Sequence, residues 1–486
     1  MPSPRKFIFH SQHHAQPQYH AQPRHHAQRG AVLMVMLVIM VVGSTTVLVN
    51  SLNAHDLKIA RQQQTVAALA QAKDALIGRA ISDNNRPGSL PCPDLITNNP
   101  AGGNIPNDGV ADSLAGNNCP SNIGRLPWKT LKLADARDAN GEHLWYALSS
   151  NFTDDDSRII NNNTPGQLTV TGSGLGNNVV AVIFSPGGVI EGQQRDNATP
   201  SAAINNAVTN FLDGENANGD TTFLTTPASP TFNDQLLTIT EDDLIPAVER
   251  RVAYEALNCL VKYARDNGGK YPWAAEVKES GQASAQIQPH FLDKASRLFG
   301  RMPDDLNNTN SNGLSATWPV GCMFTTRPNS NNSSTFNADA VTLKTNWREF
   351  VFYGVAAANS PKPSDNATCT ACLTVNTPTA TVARQVVVIM AGRTLPDVNV
   401  PGNAAIIGTS AGQFRTNADV GLTAKLREEI QNYLEDENGD YDQQNITADN
   451  LTYERKPATK TNNDSVFFCR RTIPPSPITH TTADCE

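Results

Sequence analysis

Apolar residues form one long uninterrupted stretch near the N-terminus and only short runs after it. Residues 31–49 (AVLMVMLVIMVVGSTTVLV) contain no charged residue. As a helix they would extend about 28 Å, close to the ~30 Å hydrocarbon core of a bilayer. A second set of positions recurs at three- and four-residue steps: Val66, Leu69, Lys73, Leu76, Ile77 and Ala80. The pattern predicts one helix over residues 31–82, with a transmembrane half at 31–49 and an amphipathic half after it.

The remainder of the chain contains an internal duplication. Residues 142–148 (EHLWYAL) correspond to 349–355 (EFVFYGV), and 178–183 (NVVAVI) to 385–390 (QVVVIM), both at an offset of 207 residues. Gly-Arg-Leu-Pro at 124–127 likewise has a counterpart in Gly-Arg-Met-Pro at 300–303. Short β-branched runs between turn residues favour strands over helices. The repeat predicts two copies of one fold.

The boundary between the copies is predicted at residue 240. Thr240 and Asp243 have the spacing of a helix-capping pair, Pro246 fits a first helical turn, and Gly268-Gly269 would end the helix. The first copy then covers residues 63–240 and the second 241–486. Each reads as a helix followed by an antiparallel sheet, which is an α+β layout.

An apolar helix that continues without a break into an amphipathic helix and a globular part resembles the type IV pilin superfamily, which includes the pseudopilins of type II secretion. The family's prepilin peptidase cuts after a Gly, which here is Gly30, so Ala31 would be the mature, N-methylated residue. The family usually has Glu at the fifth mature position, where this chain has Val35. The resemblance therefore implies a minor, tip-type subunit. The implied fold is a long N-terminal helix followed by two tandem pilin-like heads.

Charge distribution predicts an orientation for the proposed membrane helix. Residues 1–30 form a His-rich leader that contains Arg and Lys but no acidic residue, and positive flanks stay in the cytoplasm. We expect a single-pass protein of the bacterial inner membrane, with a cytoplasmic N-terminus and periplasmic heads that reach the cell surface if the protein assembles. The net charge of −8 argues against nucleic-acid binding.

The predicted function is assembly into, or capping of, a type IV pilus or type II secretion pseudopilus, without enzymatic activity. The expected partners are the inner membrane, the prepilin peptidase and other pilin or pseudopilin subunits. The alternative is an adhesin or binding protein anchored by a single span and not part of a filament.

Two acidic turns are candidate calcium sites. Alternating oxygen side chains around a Gly can surround Ca²⁺, although neither turn has the EF-hand spacing. A solvated turn rich in Asn, Asp and Gly explains the same composition. The candidate ligands are Asp213, Glu215, Asn216, Asn218 and Asp220 in the first copy and Asp436, Asn438, Asp440 and Asp442 in the second.

Eight cysteines, all after the apolar stretch, indicate an oxidising compartment and disulfides whose full pairing the sequence leaves open. Cys92 and Cys119 flank one loop and are predicted to pair. The pilin resemblance implies a C-terminal loop closed by Cys469 and Cys485. The remaining candidates are Cys259, Cys322, Cys369 and Cys372. A structural disulfide is favoured over redox chemistry for the C-x-x-C at 369–372, because a strand-like run follows it.

One motif has the form of a hydrolase nucleophile. Gly408-Thr409-Ser410-Ala411-Gly412 matches G-x-S-x-G, and His480 follows it. The motif needs a parallel sheet with alternating helices, which the surrounding pattern does not predict. No catalytic residue is therefore assigned.

Overall fold

A computed structural model gives the structure of this protein. It describes residues 29–83, 86–94, 107–155, 160–172, 176–195, 207–277, 291–306, 313–322, 347–362, 373–395, 430, 433–439, 452–459 and 462–469, without side chains for most of residues 29–55. The chain divides into two compact units, Met1–Arg61 and Gln62–Glu486.

Two α-helices, thirteen strands and six short 3₁₀ helices make up the described part. The helices are α1 (Arg29–Ser82) and α2 (Glu241–Asp266). The strands are β1 (Ile123–Arg125), β2 (Trp145–Leu148), β3 (Thr169–Gly172), β4 (Val179–Ser185), β5 (Thr222–Thr225), β6 (Gln235–Thr240), β7 (Phe299–Arg301), β8 (Val351–Val355), β9 (Leu373–Asn376), β10 (Thr381–Arg384), β11 (Val386–Met390), β12 (Thr452–Glu454) and β13 (Ser465–Phe467). The 3₁₀ helices are Ser150–Phe152, Val208–Asn210, Gly214–Ala217, Arg348–Phe350, Ala357–Asn359 and Asp436–Gly439.

Two four-stranded antiparallel sheets have the same strand order. The first is β1-β2-β4-β6 and the second is β7-β8-β11-β13. Every residue of β4 and β11 is buried, which explains their continuous apolar sequences. In the first sheet Tyr146 lies opposite Ile183, and in the second Tyr353 lies opposite Val388. The two regions of equal offset in the sequence therefore form the central strand pairs of two sheets with the same strand order, although the pairing differs by two residues because Met390 is the counterpart of Ile183.

The Gly-Arg motifs lie in the edge strands β1 and β7, where another segment of the chain crosses closely. A Cβ atom at Gly124 would lie 2.8 Å from the carbonyl oxygen of Asp94, and one at Gly300 would overlap the carbonyl oxygen of Ala275. Asp94 and Ala275 form backbone bridges to Arg125 and Arg301, respectively. Only glycine leaves room for these bridges, which explains why both copies have Gly before Arg.

Each copy also has a small sheet beside its main sheet. β3 pairs with β5 in parallel, and β9 pairs with β12 in parallel. In the second copy β10 adds an antiparallel strand to β9, which gives the order β10-β9-β12.

Helix α2 begins at the capping box that its sequence predicts. The Thr240 hydroxyl accepts from the Asp243 N–H, and the Asp243 carboxylate accepts from the Thr240 N–H at 2.8 Å. Lys73 of α1 forms an ion pair with the same carboxylate at 3.0 Å. Gly268 and Gly269 follow the helix with φ of 63° and 82°, values that residues with a Cβ rarely adopt. The two helices are therefore joined at the start of α2.

One hydrophobic core joins both copies within residues 62–486. It contains Leu76 and Ala80 of α1, Val252 and Leu260 of α2, and strand residues of both main sheets such as Ile183 and Ile389. Contacts between the copies also include the indole N–H of Trp347, which donates to the carbonyl of Pro87 at 3.4 Å. The second copy therefore packs on the first, rather than forming a separate domain.

The predicted fold class, a long N-terminal helix with a membrane half followed by two tandem pilin-like heads, is wrong. Helix α1 has 54 residues, yet no helix in the described part is long and apolar enough to cross a membrane. Most of the remaining ordered structure is antiparallel sheet. Both copies share one core because α2 is buried among residues of both.

The predicted membrane location is contradicted by the same finding. A span needs about 20 consecutive predominantly apolar residues in one helix, and the part of the chain that the structure describes contains no such helix. Three predictions depended on that span. They are a transmembrane helix, a single-pass inner-membrane protein with a periplasmic part, and a place in a type IV pilus or type II secretion system.

We expect the two copies to unfold together because they share one core. Leu76→Ala in the first copy and Ile389→Ala in the second each remove a fully buried side chain and should cost about 2–5 kcal/mol. Calorimetry of the full chain should show one main transition that both substitutions lower. Val66→Ala, at an exposed position of α1, is the control and should have little effect. Two separate transitions, each lowered by only one substitution, would contradict a shared core.

Candidate functional site

The acidic turn of the first copy is built around the carboxylate of Asp213. Its Oδ1 accepts from Nε2 of Gln193 at 2.7 Å. Its Oδ2 accepts from the backbone N–H groups of Asn233 and Asp234 at 2.6 and 3.2 Å. Asp213 is 3% exposed, so these bonds replace the water that it loses on burial. The side chain thus fixes the turn to the start of β6.

The Asp234 carboxylate in turn accepts hydrogen bonds from the turn that contains Asp213. Its Oδ2 accepts from the N–H of Asp213 at 2.8 Å and from Nδ2 of Asn216 at 3.0 Å. Asn216 also forms hydrogen bonds with both the N–H and the carbonyl of Leu224 in β5. We call this reciprocal arrangement of Asp213, Asn216 and Asp234 the acidic clamp.

The second copy repeats the acidic clamp with Glu in place of the first Asp. Oε2 of Glu435 accepts from the N–H groups of Asn463 and Asp464 at 2.9 and 3.1 Å. Oδ2 of Asp464 accepts from the N–H of Glu435 at 2.8 Å. Asn438 forms hydrogen bonds with the N–H and carbonyl of Glu454 in β12. The repeated geometry indicates that these residues connect the turn to two strands in both copies.

The geometry leaves few free oxygens for the predicted calcium sites. Asp213 and Asn216 use their oxygens on backbone and side-chain N–H groups, and Oδ1 of Asn218 accepts from the N–H of Asp220. Glu215 is exposed. The Asp436 side chain, Asp440 and Asp442 lie outside the description. In the described part no three His, Cys, Asp or Glu side chains are close enough to hold a metal ion. Calcium binding stays a prediction.

The pKa of Asp234 is raised to about 7, mainly by burial and to a smaller extent by the neighbouring Asp213 carboxylate. Hydrogen bonds from Asp213 N–H and Asn216 oppose the increase. The second oxygen of Asp234, Oδ1, is buried and has no hydrogen-bond partner in the described structure. A proton on Oδ1 would avoid an unpaired charged oxygen, so burial and geometry favour the neutral acid.

The arginines of the two Gly-Arg motifs lie among aromatic rings. The Arg125 guanidinium lies 4.3 Å from the ring centroid of Phe211 and 5.1 Å from that of Trp145. The Arg301 guanidinium lies 4.3 Å from the Tyr433 centroid and 5.0 Å from that of Phe352. The sequence alone does not predict these contacts; the available signal is that the motif precedes an aromatic strand in both copies.

The structure pairs four of the cysteines. Disulfides join Cys92 to Cys119 and Cys259 to Cys322, with Cα–Cα distances of 5.4 and 5.0 Å. Cys469 is also disulfide-bonded. Cys369, Cys372 and Cys485 lie outside the described residues.

The other predicted sites are described only in part. Gly30, Ala31 and Val35 lie in α1, without described side chains. Cleavage after Gly30 stays a prediction. The G-x-S-x-G segment at 408–412 and His480 lie outside the described residues.

Comparisons with known proteins give no match: no family model, curated protein or solved structure is significantly similar to this chain.

We expect the acidic clamp to make stability depend on pH. The folded protein keeps a proton on Asp234 that the unfolded chain releases between about pH 4 and 7, so the stability from this group is complete below that window and is lost as pH rises. Asp234→Asn keeps the acceptor and removes the titration. Between pH 4 and 7.5 the free energy of unfolding of the wild type should fall by roughly 1–3 kcal/mol relative to the variant, measured by urea denaturation.

Asp220→Asn, an exposed change in the same turn, is the matched control and should follow the wild-type pH profile. Parallel profiles for the wild type and Asp234→Asn would show that Asp234 does not titrate in this window.

Proposed function

We propose that this protein is a non-enzymatic subunit that assembles with other copies of itself by packing α1 against α1. The observation that carries the proposal is the exposure of apolar side chains on α1. Met36, Leu37, Ile39 and Met40 are 63%, 58%, 64% and 72% exposed. Exposed contiguous apolar residues are typical of a surface that another molecule covers.

The positions of these four side chains define a broad surface. At about 100° per residue they cover roughly 160° of the helix circumference. We call Met36, Leu37, Ile39 and Met40 the α1 apolar surface. A heptad seam covers a narrower stripe, so this surface has room for contact with more than one neighbouring helix.

Charge and length favour a second copy of α1 as the occupant. Residues 31–55 contain no Asp, Glu, Lys or Arg, so a charged partner would gain nothing there and would lose hydration. The partner must offer an uncharged apolar surface of similar length. Within this chain, the part of α1 before residue 56 is such a surface. The next exposed charged residues after it are Asp56, Lys58 and Arg61.

The described carboxylates support a role without catalysis. Asp213, Asp234 and Glu435 accept hydrogen bonds from backbone N–H groups and thereby organise turns. Asp304 forms an ion pair with Arg348 at 2.8 Å, and both side chains are buried. These contacts show that the carboxylates stabilise the fold. Assembly is the activity that the exposed residues support.

Charge on the α1 apolar surface should prevent assembly. Leu37→Lys combined with Met40→Lys places two cations where apolar contact is required, and self-association should weaken more than about ten-fold. Sedimentation velocity over a range of protein concentrations measures this. The wild type should form oligomers, and the double variant should sediment as a monomer.

Val320→Lys is the matched control, because Val320 is a 97% exposed apolar residue that does not belong to α1. It should assemble like the wild type. A wild type that stays monomeric at all concentrations, or a double variant that assembles equally well, would refute the proposal.

A further inference from the structure

Arg125 is a buried cation whose hydrogen bonding is incomplete. It ends the edge strand β1 and is 7% exposed. Its Nε is buried and has no hydrogen-bond partner in the described structure. Guanidinium groups carry several N–H donors, and buried donors of this kind are normally paired. The aromatic faces of Phe211 and Trp145 stabilise the guanidinium charge. They do not replace an acceptor for the Nε–H group, which donates in the plane of the guanidinium.

Trp145 adds a second unpaired donor at the same place. It is opposite Arg125 in the β1–β2 register and is fully buried. Its indole Nε1 is also buried and lacks a partner in the part of the chain that the structure describes. The indole can only donate. Two neighbouring buried donors therefore lack an acceptor.

The second copy shows the same position with its donors satisfied. Arg301, the counterpart of Arg125, donates from Nε to the carbonyl of Val277 at 2.7 Å and from Nη1 to the carbonyl of Glu349. Phe352 replaces Trp145 and has no N–H group. The missing acceptor is thus specific to the first copy and does not result from the motif itself.

Nearby charges of the first copy are already engaged. The pKa of Arg125 is lowered to about 10, mainly by burial; Arg137 and Arg195 also lower it, whereas Glu142 and Asp94 favour the charged form. Glu142 lies 3.6 Å from Nη1 of Arg195. The Asp94 carboxylate accepts from the N–H groups of Asn107 and Gly109. Neither carboxylate completes the bonding of Arg125.

We propose that Arg125 and Trp145 form a binding site for a carboxylate group from outside the described fold. A carboxylate offers two acceptor oxygens, which match a guanidinium and an adjacent indole N–H, and its charge compensates the buried cation. The carboxylate belongs either to a small organic acid or to the C-terminus of a peptide. This site does not depend on assembly through α1.

Isothermal titration calorimetry of the full chain tests the site. Sodium acetate should give saturable heat that sodium chloride at equal ionic strength does not give. A short peptide with a free C-terminal carboxylate, compared with its C-terminally amidated form, distinguishes the second source. Preference for the free peptide over acetate would assign a chain terminus, and equal binding of acetate would assign a small acid.

Arg125→Gln should abolish the heat. Trp145→Phe copies the residue of the second copy at this position, so it should keep the fold and weaken acetate binding about five- to ten-fold through loss of one hydrogen bond. Trp128→Phe, at a half-buried indole outside the site, should bind like the wild type.

Three results would overturn the proposal. The first is a wild type without saturable heat from acetate or either peptide, which would leave a buried water as the acceptor. The second is unchanged binding by Trp145→Phe. The third is a folded Arg125→Gln protein that binds equally well, with folding checked by its thermal transition.

Discussion

The packing of α2 against both copies is the constraint on which the folded part depends. Its buried positions include Leu244, Ile245 and Leu257, which at about 100° per residue spread over roughly 220° of the helix circumference. Val248 lies beside Gly88 of the first copy, where an added Cβ would come within 3.8 Å of it. If the two copies separated, the apolar surface of this helix would be exposed to water, which is unfavourable. We therefore expect the two copies to behave as one cooperative unit.

The acidic clamps supply hydrogen-bond acceptors to buried turns of this fold. Turns that connect strands across a core contain backbone N–H groups with no ladder partner, and burial makes each of them costly. Asp213 and Glu435 each accept two such groups, and Asp234 and Asp464 each return one bond. Composition alone would assign these residues to a solvated turn or a metal site, whereas the hydrogen bonds show why carboxylates suit a buried turn.

Local and repeated features could be predicted from the sequence, and contacts between distant segments could not. The capping pair Thr240 and Asp243 acts over three residues, and the runs 178–183 and 385–390 coincide with most of β4 and β11. The acidic clamp joins residues 21 positions apart through backbone atoms that no side-chain pattern reports. The apolar run 31–49 predicts a bilayer helix because hydrophobicity along the sequence does not show what covers the side chains.

Comparison of the copies separates what the fold requires from what one copy can change. Gly124 and Gly300 serve the same close crossing, and both arginines stack on aromatic rings, so these features belong to the fold. The partners of the arginines differ, because Arg301 reaches two carbonyls while Nε of Arg125 reaches none in the described structure. A buried N–H donor without a protein partner costs less free energy where a ligand supplies the acceptor. Two such donors, Nε of Arg125 and Nε1 of Trp145, lie in the first copy.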